Sequence, residues 1–422
     1  MSRILALLLA CLPLYSPAWG QPLTLQQALR QAAGTHPDMQ LARALERKAE
    51  AAERRLQTPF ATSLYLELDA RWIDVPRDSF YRSPDDSRAS LILEKTLYQF
   101  GRRKWLRRAG AAWRLEAREQ ARDLLQDLEQ EVTAAFFDVL LADLAFNTAN
   151  EAMSIAYIRY DRANERLELE QVSELETARL YAAYQETRLQ VRRAEQAQRL
   201  TRERLALLLG RPDDPPAELL EPVLMLERPV PEFETLKARI DQHPALRSLQ
   251  QQSRALRAEA EALRLSLRPS LRLEAGYTEY SQPFSTRSPA RASLVLRWPF
   301  TDGQQARQQA VELEAQAEAV AARADRLALE LRQNLLATLQ AIRAGQVELE
   351  RNLAERDYRE LDLDKRRALY EMEVKADLGD AMVAQSQVQW QTAQSRYRLA
   401  LRWLELARLT HDPQWKPWKE EP

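Results

Sequence analysis

Between Gly101 and about Leu169 the chain contains no proline. A continuous helix over that stretch is roughly 100 Å long at 1.5 Å per residue, more than an ordinary globular core can use. Only 9 Gly occur in 422 residues, and Ala, Leu, Glu, Arg and Gln are abundant, which favours long helices. A returning helix is expected from Gln171 to about Leu209, where LGRPDDPP breaks it.

The chain then repeats itself. His36-Pro37-Asp38-Met39 leads through a helix-forming stretch to Pro59, and His243-Pro244-Ala245-Leu246 leads the same way to Pro269. RASLILEKTLYQFG (Arg88 to Gly101) lies opposite ARASLVLRWPFTDGQ, with Leu91, Leu93 and Leu97 matched to Leu294, Leu296 and Phe300 at a spacing of 203. At the same spacing, the apolar series Leu125, Leu128, Val132, Ala135, Val139, Ala142, Phe146 matches Ala328, Leu331, Leu335, Thr338, Ile342, Gly345, Leu349. Steps of 3 and 4 make each series the seam of a coiled coil. Leu124, Phe136 and Leu140 lie outside that seam and call for helix neighbours on a second side. The second hairpin runs out from Gly303 to about Met372 and back to about Leu409.

Against this helical background SLYLELDARW, Ser63 to Trp72, alternates strictly. Leu64, Leu66, Leu68, Ala70 and Trp72 fall on one face, and Tyr65, Glu67, Asp69 and Arg71 on the other, the period of a strand. Ala292, Leu294, Leu296, Trp298 and Phe300 alternate likewise, whereas Lys95 interrupts the row begun by Ala89, Leu91 and Leu93. Each repeat therefore holds two strands joined by a loop rich in turn residues, IDVPRDSFYRSPDDSR (Ile73 to Arg88) and SQPFSTRSPAR (Ser281 to Arg291). One apolar and one charged face suits a barrel strand with lipid outside and water inside. Hairpins that cover a soluble core alternate equally well, so alternation leaves both readings open.

The fold class expected is mainly α with β, internally duplicated. The segments are a signal peptide at 1–20, a first repeat at 21–210, a linker at 211–231, a second repeat at 232–410 and a tail at 411–422. A short basic start, the apolar run ILALLLACLPLY and small residues at Ala18 and Gly20 give the N-terminus the form of an export signal. The run is short for a membrane anchor. Cys11, the only cysteine, also allows lipidation at that position, and either way the exported chain has no disulfide.

Four strands cannot close a membrane barrel, whose smallest single-chain forms need about eight. An exported chain with lipid-facing strands must pool them, and a homotrimer supplies about twelve. Lys+Arg 61 against Asp+Glu 62 leaves no basic excess for nucleic acid. His36, His243 and His411 are scattered, and two precede proline at equivalent repeat positions, which reads as helix entry. With no phosphate loop, nucleophile elbow or cysteine pair, the reading is a non-enzyme without cofactor or metal.

LTLQQALRQAAGTHPDMQLARA, HPALRSLQQQSRALRAEAEALRLSLRPSL and the paired elements TLYQFG and WPFTDG resemble the repeated signatures of the TolC family of outer-membrane efflux proteins, over essentially the whole mature chain. The resemblance implies a trimeric channel of a Gram-negative outer membrane that extends into the periplasm. It further implies recruitment by a periplasmic adaptor and an inner-membrane pump or type I exporter, which supply the energy for passive conduction. A periplasmic adaptor and an exported helical scaffold are the rival classes. The family carries a glycine in each hairpin tip, where adaptors dock. Here the tips read Glu170-Gln171-Val172-Ser173 and Glu373-Val374-Lys375-Ala376, both without it. Asp377 and Asp380, beside the second tip, are candidates for carboxylates at the channel entrance, or else helix caps. Leu64, Leu66, Leu68, Trp72, Leu294, Leu296 and Trp298 are the candidate lipid contacts. The cluster Arg102-Arg103-Lys104 with Arg107-Arg108 faces either an anionic surface or plain solvent.

Overall fold

A computed structural model describes residues 22–75, 83–282, 288–302, 304–372 and 377–418. The segment 1–20 and the tip residues Glu373, Val374, Lys375 and Ala376 lie outside the described residues. Two short helices, α1 (Leu25–Thr35) and α2 (Pro37–Gln57), lead into strands β1 (Thr62–Asp69) and β2 (Arg88–Tyr98). The hairpin α3 (Arg102–Glu168) and α4 (Glu174–Leu208) follows. After an extended crossing and the single turn α5 (Phe233–Leu236), the pattern repeats as α6 (Pro244–Arg264), β3 (Ser270–Tyr280), β4 (Ala290–Arg297), α7 (Gln305–Glu371) and α8 (Leu378–Thr410). α3 and α7 are 67 residues each, about 100 Å of unbroken helix.

Helix entry at both repeats depends on the histidines. His36 and His243 stand at the N-caps of α2 and α6, where each Nδ1 accepts the backbone N–H two residues on, at 3.2 and 3.3 Å, and proline takes the first helical position. His243 is 3% exposed, and burial, with Arg408 and His411 nearby, pushes its pKa down to about 4. A folded-state value below the ordinary 6.5 means that the folded state resists protonation. Stability is therefore full above pH 6.5 and falls progressively as the pH drops toward 4, by about 3 kcal/mol per chain. Chemical denaturation of wild type and His243→Asn across that window checks this, since the Asn variant should lose much of the acid sensitivity.

The helices lie side by side in one layer. Near the strands, α3 sits between α2 and α6: Arg114 pairs with Glu53 at 3.5 Å, and Trp113 Nε1 donates to Glu259 at 2.7 Å. α6 also meets α7, through Ser253 donating to the Ala317 carbonyl at 2.9 Å. Farther from the strands α3 sits between α4 and α8: Arg202 pairs with Asp143 at 2.7 Å, and Phe137 stacks on Tyr397 with centroids 4.6 Å apart. α8 in turn meets α7 through Arg398 and Glu348 at 3.2 Å. The order is thus α2-α3-α6-α7 at one level and α4-α3-α8-α7 at the other.

Of the apolar seam, Leu128, Val132, Ala135, Val139 and Ala142 are buried, as are Leu331, Leu335, Thr338, Ile342 and Leu349. Leu125 departs from the expectation: it is 44% exposed, because it points between α1 and the C-terminal segment into an open cleft lined by Arg30, Lys416 and Trp418. Phe136 and Phe137 are fully buried, since α3 has neighbours on two sides. An apolar stretch of α3 is long and apolar enough to cross a membrane by length and composition, and 44% of it is buried within the fold. The crossing segment ties the repeats together at mid-length, where Gln346 donates to the Arg228 carbonyl at 2.9 Å and Arg396 pairs with Glu221 at 3.0 Å.

Candidate functional site

The four strands form one antiparallel sheet in the order β1-β2-β3-β4. Register places Leu64 beside Leu93, Ala275 and Ala292, and Leu66 beside Leu91, Tyr277 and Ala290. Leu273 and Leu294 pair one step nearer the helices, followed by Leu271 and Leu296. One face of the sheet is therefore apolar across all four strands between the levels of Leu66 and Leu296, with Glu279 beside Ala89 and Leu68 at the far end and Lys95 near the helices as its charged residues. The other face carries Tyr65, Glu67, Arg88, Glu94, Arg272, Glu274 and Arg291, where the Tyr65 hydroxyl donates to Glu94 at 3.0 Å.

Among the described residues no layer covers the apolar face. The strands pack chiefly on one another, with only the turn Thr58–Phe60 added at β2. Leu64 is 63% exposed, Leu68 72% and Leu294 62%. A hairpin pair that roofed a soluble core would bury just these side chains. Lys95, which breaks the apolar row, pairs with Thr62 and Leu273 near the helix end of the sheet.

Two boundaries differ from the sequence reading. β1 ends at Asp69, not Trp72; Trp72 forms an isolated bridge with Asp85 beyond the strand and is 73% exposed. β4 ends at Arg297, so Trp298 lies just past the strand and packs against Phe300, while Tyr98, the last residue of β2, packs against Phe100. These aromatics flank the apolar face in the manner of an interfacial belt.

At the first hairpin tip, the missing glycine is replaced at a cost in backbone strain. Glu170 adopts φ 53°, the left-handed region, while its N–H reaches the Leu167 carbonyl at 2.9 Å and that of Gln171 reaches Arg166 at 2.8 Å. Ser173 caps α4 by accepting from Glu176 N–H at 3.2 Å, and Val172 is half-buried. Glu170→Gly should therefore be neutral or stabilising by up to about 1 kcal/mol, read from the chemical-denaturation midpoint. A clear loss would show that the Glu170 side chain itself holds the tip.

At the second tip, Asp377 caps α8, and both candidate carboxylates converge on one cation from α3. Arg159 donates to Asp377 at 2.7 Å and 2.9 Å, and to Asp380 at 2.6 Å. Partial burial raises the Asp377 carboxyl, but hydrogen bonds to Asp380 and Arg159 outweigh it and the net shift is downward. The ionised form is thus favoured, and the contact is complete above the ordinary value of 3.8, weakening only as the pH falls below it. Gly379 permits the approach, since a Cβ there would stand 2.8 Å from Ile155 Cγ2. Because these groups are half-exposed the contact is a modest one. Arg159→Ala is expected to speed hydrogen exchange in the first turn of α8 about threefold to tenfold, with mid-helix exchange unchanged.

Sequence reasoning missed Arg159, which lies 218 residues from Asp377. The repeat carried no signal for it, because around Arg159 the 203 spacing no longer matches like with like: Tyr157 faces Glu360, Arg159 faces Asp362 and Ala163 faces Arg366. It also missed Tyr157, Tyr160, Tyr181 and Tyr184, which gather between α3 and α4 with neighbouring centroids 5.1 to 6.5 Å apart. Their counterparts in the second hairpin include Leu363, Ala384 and Gln387, and there a cleft of 410 Å³ opens between α7 and α8, lined by Arg351, Glu355 and Gln391 among others.

An exposed apolar sheet carried on two duplicated helical hairpins defines the TolC-type outer-membrane channel fold. Among solved structures the chain is similar to the transmembrane channel protein CusC, at 16% identity over 93% of this chain and 95% of that one, with a TM-score of 0.74. It is also similar to the outer-membrane channel CmeC of Campylobacter jejuni (13% identity, 94% and 87% coverage, TM-score 0.74). The open state of the outer-membrane channel MtrE of Neisseria gonorrhoeae gives 15% identity, 94% and 91% coverage and a TM-score of 0.68. At such identities the likeness is one of fold. No protein-family model matches the sequence, and no curated protein does.

Proposed function

We propose that this chain is the outer-membrane exit duct of a tripartite efflux or type I secretion system. The observation that carries the reading is the uncovered apolar face of the four-stranded sheet at the end of about 100 Å of helix. Open edges at β1 and β4 call for further strands. In the order β1-β2-β3-β4 alternate strands run in opposite directions, so β4 of one copy can pair antiparallel with β1 of the next, and three copies close a ring of about twelve strands. The helical layer has matching open flanks, with exposed Leu329, Val347 and Leu361 on α7 and Leu200 on α4. Three layers would complete a helical ring in the periplasm.

In this reading the protein is a non-enzymatic homotrimer embedded in outer-membrane lipid and does not act on nucleic acid. Leu64, Leu66, Leu68, Leu294 and Leu296 touch acyl chains, and Trp72 and Trp298 sit at the interfaces. An inner-membrane transporter supplies the energy and a periplasmic adaptor meets the hairpin tips. Asp377 and Asp380 line the entrance while tethered to Arg159, and the sequence segments 1–20, 21–210, 211–231, 232–410 and 411–422 serve as signal, repeat, linker, repeat and tail. An adaptor needs one hairpin between separate β domains, an arrangement unlike this duplicated layer.

Negative-stain electron microscopy of the detergent-extracted protein tests the reading. A tapered threefold particle roughly 130 to 140 Å long is expected, from about 100 Å of helix plus about ten strand residues. A monomer released without detergent would overturn it.

A further inference from the structure

α3 begins directly below the sheet with RRKWLRR, and Arg103, Lys104, Arg107 and Arg108 are all exposed. Among the described residues none of the four forms an ion pair. That sets them apart in a chain whose other helical arginines are so often paired, such as Arg192 and Arg199 with Glu195 or Arg366 with Asp362. Two of them lie against aromatic rings: Arg108 is 4.6 Å from the Trp105 ring and Arg103 5.5 Å from that of Phe60. The cluster belongs to one repeat alone, because its counterparts in α7 are Ala306, Arg307, Ala310 and Val311.

The direction of the cluster follows from the neighbours of α3. Gly110 and Arg114 meet Glu53 of α2, while Leu106 and Trp113 meet Ala262 and Glu259 of α6. At 100° per residue the buried residues Leu106, Ala109, Gly110 and Ala112 centre on one side of the helix, and Lys104, Arg107 and Arg108 centre on the opposite, exposed side. The aromatic pairs Tyr98 with Phe100 and Trp298 with Phe300 lie at the same end of the sheet, as does Lys95 on the apolar face.

We infer that this cluster is a binding surface for anionic phospholipid headgroups of the periplasmic leaflet, which fixes the depth at which the sheet sits in the membrane. It rests on the duct reading. Unpaired cations just outside the apolar band stand where lipid phosphates lie, and guanidinium groups can each engage two phosphate oxygens. A surface that merely needed solvation would not leave this much like charge uncompensated beside an apolar wall.

The test uses the full-length assembly in mild detergent, offered equal phosphatidylglycerol and phosphatidylethanolamine, with retained lipid read by native mass spectrometry. Wild type should keep phosphatidylglycerol roughly tenfold over phosphatidylethanolamine at low salt, and lose the preference in about 0.5 M salt. The variant K104Q/R107Q/R108Q should hold the two lipids equally while its single-channel conductance in planar bilayers stays at the wild-type value. R107K/R108K should keep the preference. Equal retention by a conducting wild type, or an undiminished preference in the glutamine variant, overturns this inference alone. A wild type that forms no conducting pore overturns the duct reading and this inference with it.

Discussion

Leu66→Arg is expected to abolish assembly in the outer membrane. Leu66 lies in the middle of β1, 64% exposed on the apolar face beside Leu91. An arginine facing lipid near the bilayer midplane costs roughly 2 to 4 kcal/mol, and a closed ring carries the cost once per copy. Neighbouring strands cannot relieve it, since every residue at that level on the same face is apolar: Leu91, Tyr277 and Ala290. The control is Tyr65→Arg, one residue away on the polar face, where Glu94 already stands within hydrogen-bonding distance. Membrane fractionation and heat-modifiable migration on gels should show Leu66→Arg absent from the outer membrane and Tyr65→Arg present. Equal assembly of the two would mean that the apolar face does not meet lipid.

The second large effect is expected at the middle of the helical layer. Trp403 of α8 is fully buried and stacks on Trp415 with centroids 5.9 Å apart, while the Arg228 guanidinium lies 4.6 Å from its ring. Arg228 also donates to the carbonyls of Gln414, Trp415 and Lys416 at 2.9, 3.2 and 2.6 Å, and Met225 N–H reaches the Pro417 carbonyl at 2.7 Å. One indole thus supports the clasp between the crossing segment and the chain's C-terminal end. Trp403→Ala should cost about 3 to 5 kcal/mol and expose residues 413–418 to rapid hydrogen exchange. Trp403→Phe should be milder, because among the described residues the indole N–H has no partner, and phenylalanine keeps most of the stacking area. If Trp403→Ala lowers stability without releasing 413–418, the indole fills the core but does not hold the clasp.

Much of this was legible in the order of residues. Duplication at a spacing of 203 is a one-dimensional property, and helix length follows from an absence of proline that needs no partner to be seen. The helix-entry role of His36 and His243 was readable because a cap acts within two residues of itself. The alternation of SLYLELDARW was equally plain, yet it served a lipid-facing wall and a soluble roof alike, since a strand's period is the same whatever lies against it.

Tertiary structure decided what periodicity could not. It left the apolar side of the sheet uncovered, and it brought Arg159 to Asp377 and Asp380 across 218 residues of chain. It also turned Leu125 out of a seam that its spacing had placed it in, and ended β1 at Asp69 short of Trp72. The physical reason is common to all four. Covalent order sets backbone period and turn chemistry locally, whereas exposure and charge pairing depend on which distant surfaces meet, and those are chosen by packing over the whole chain.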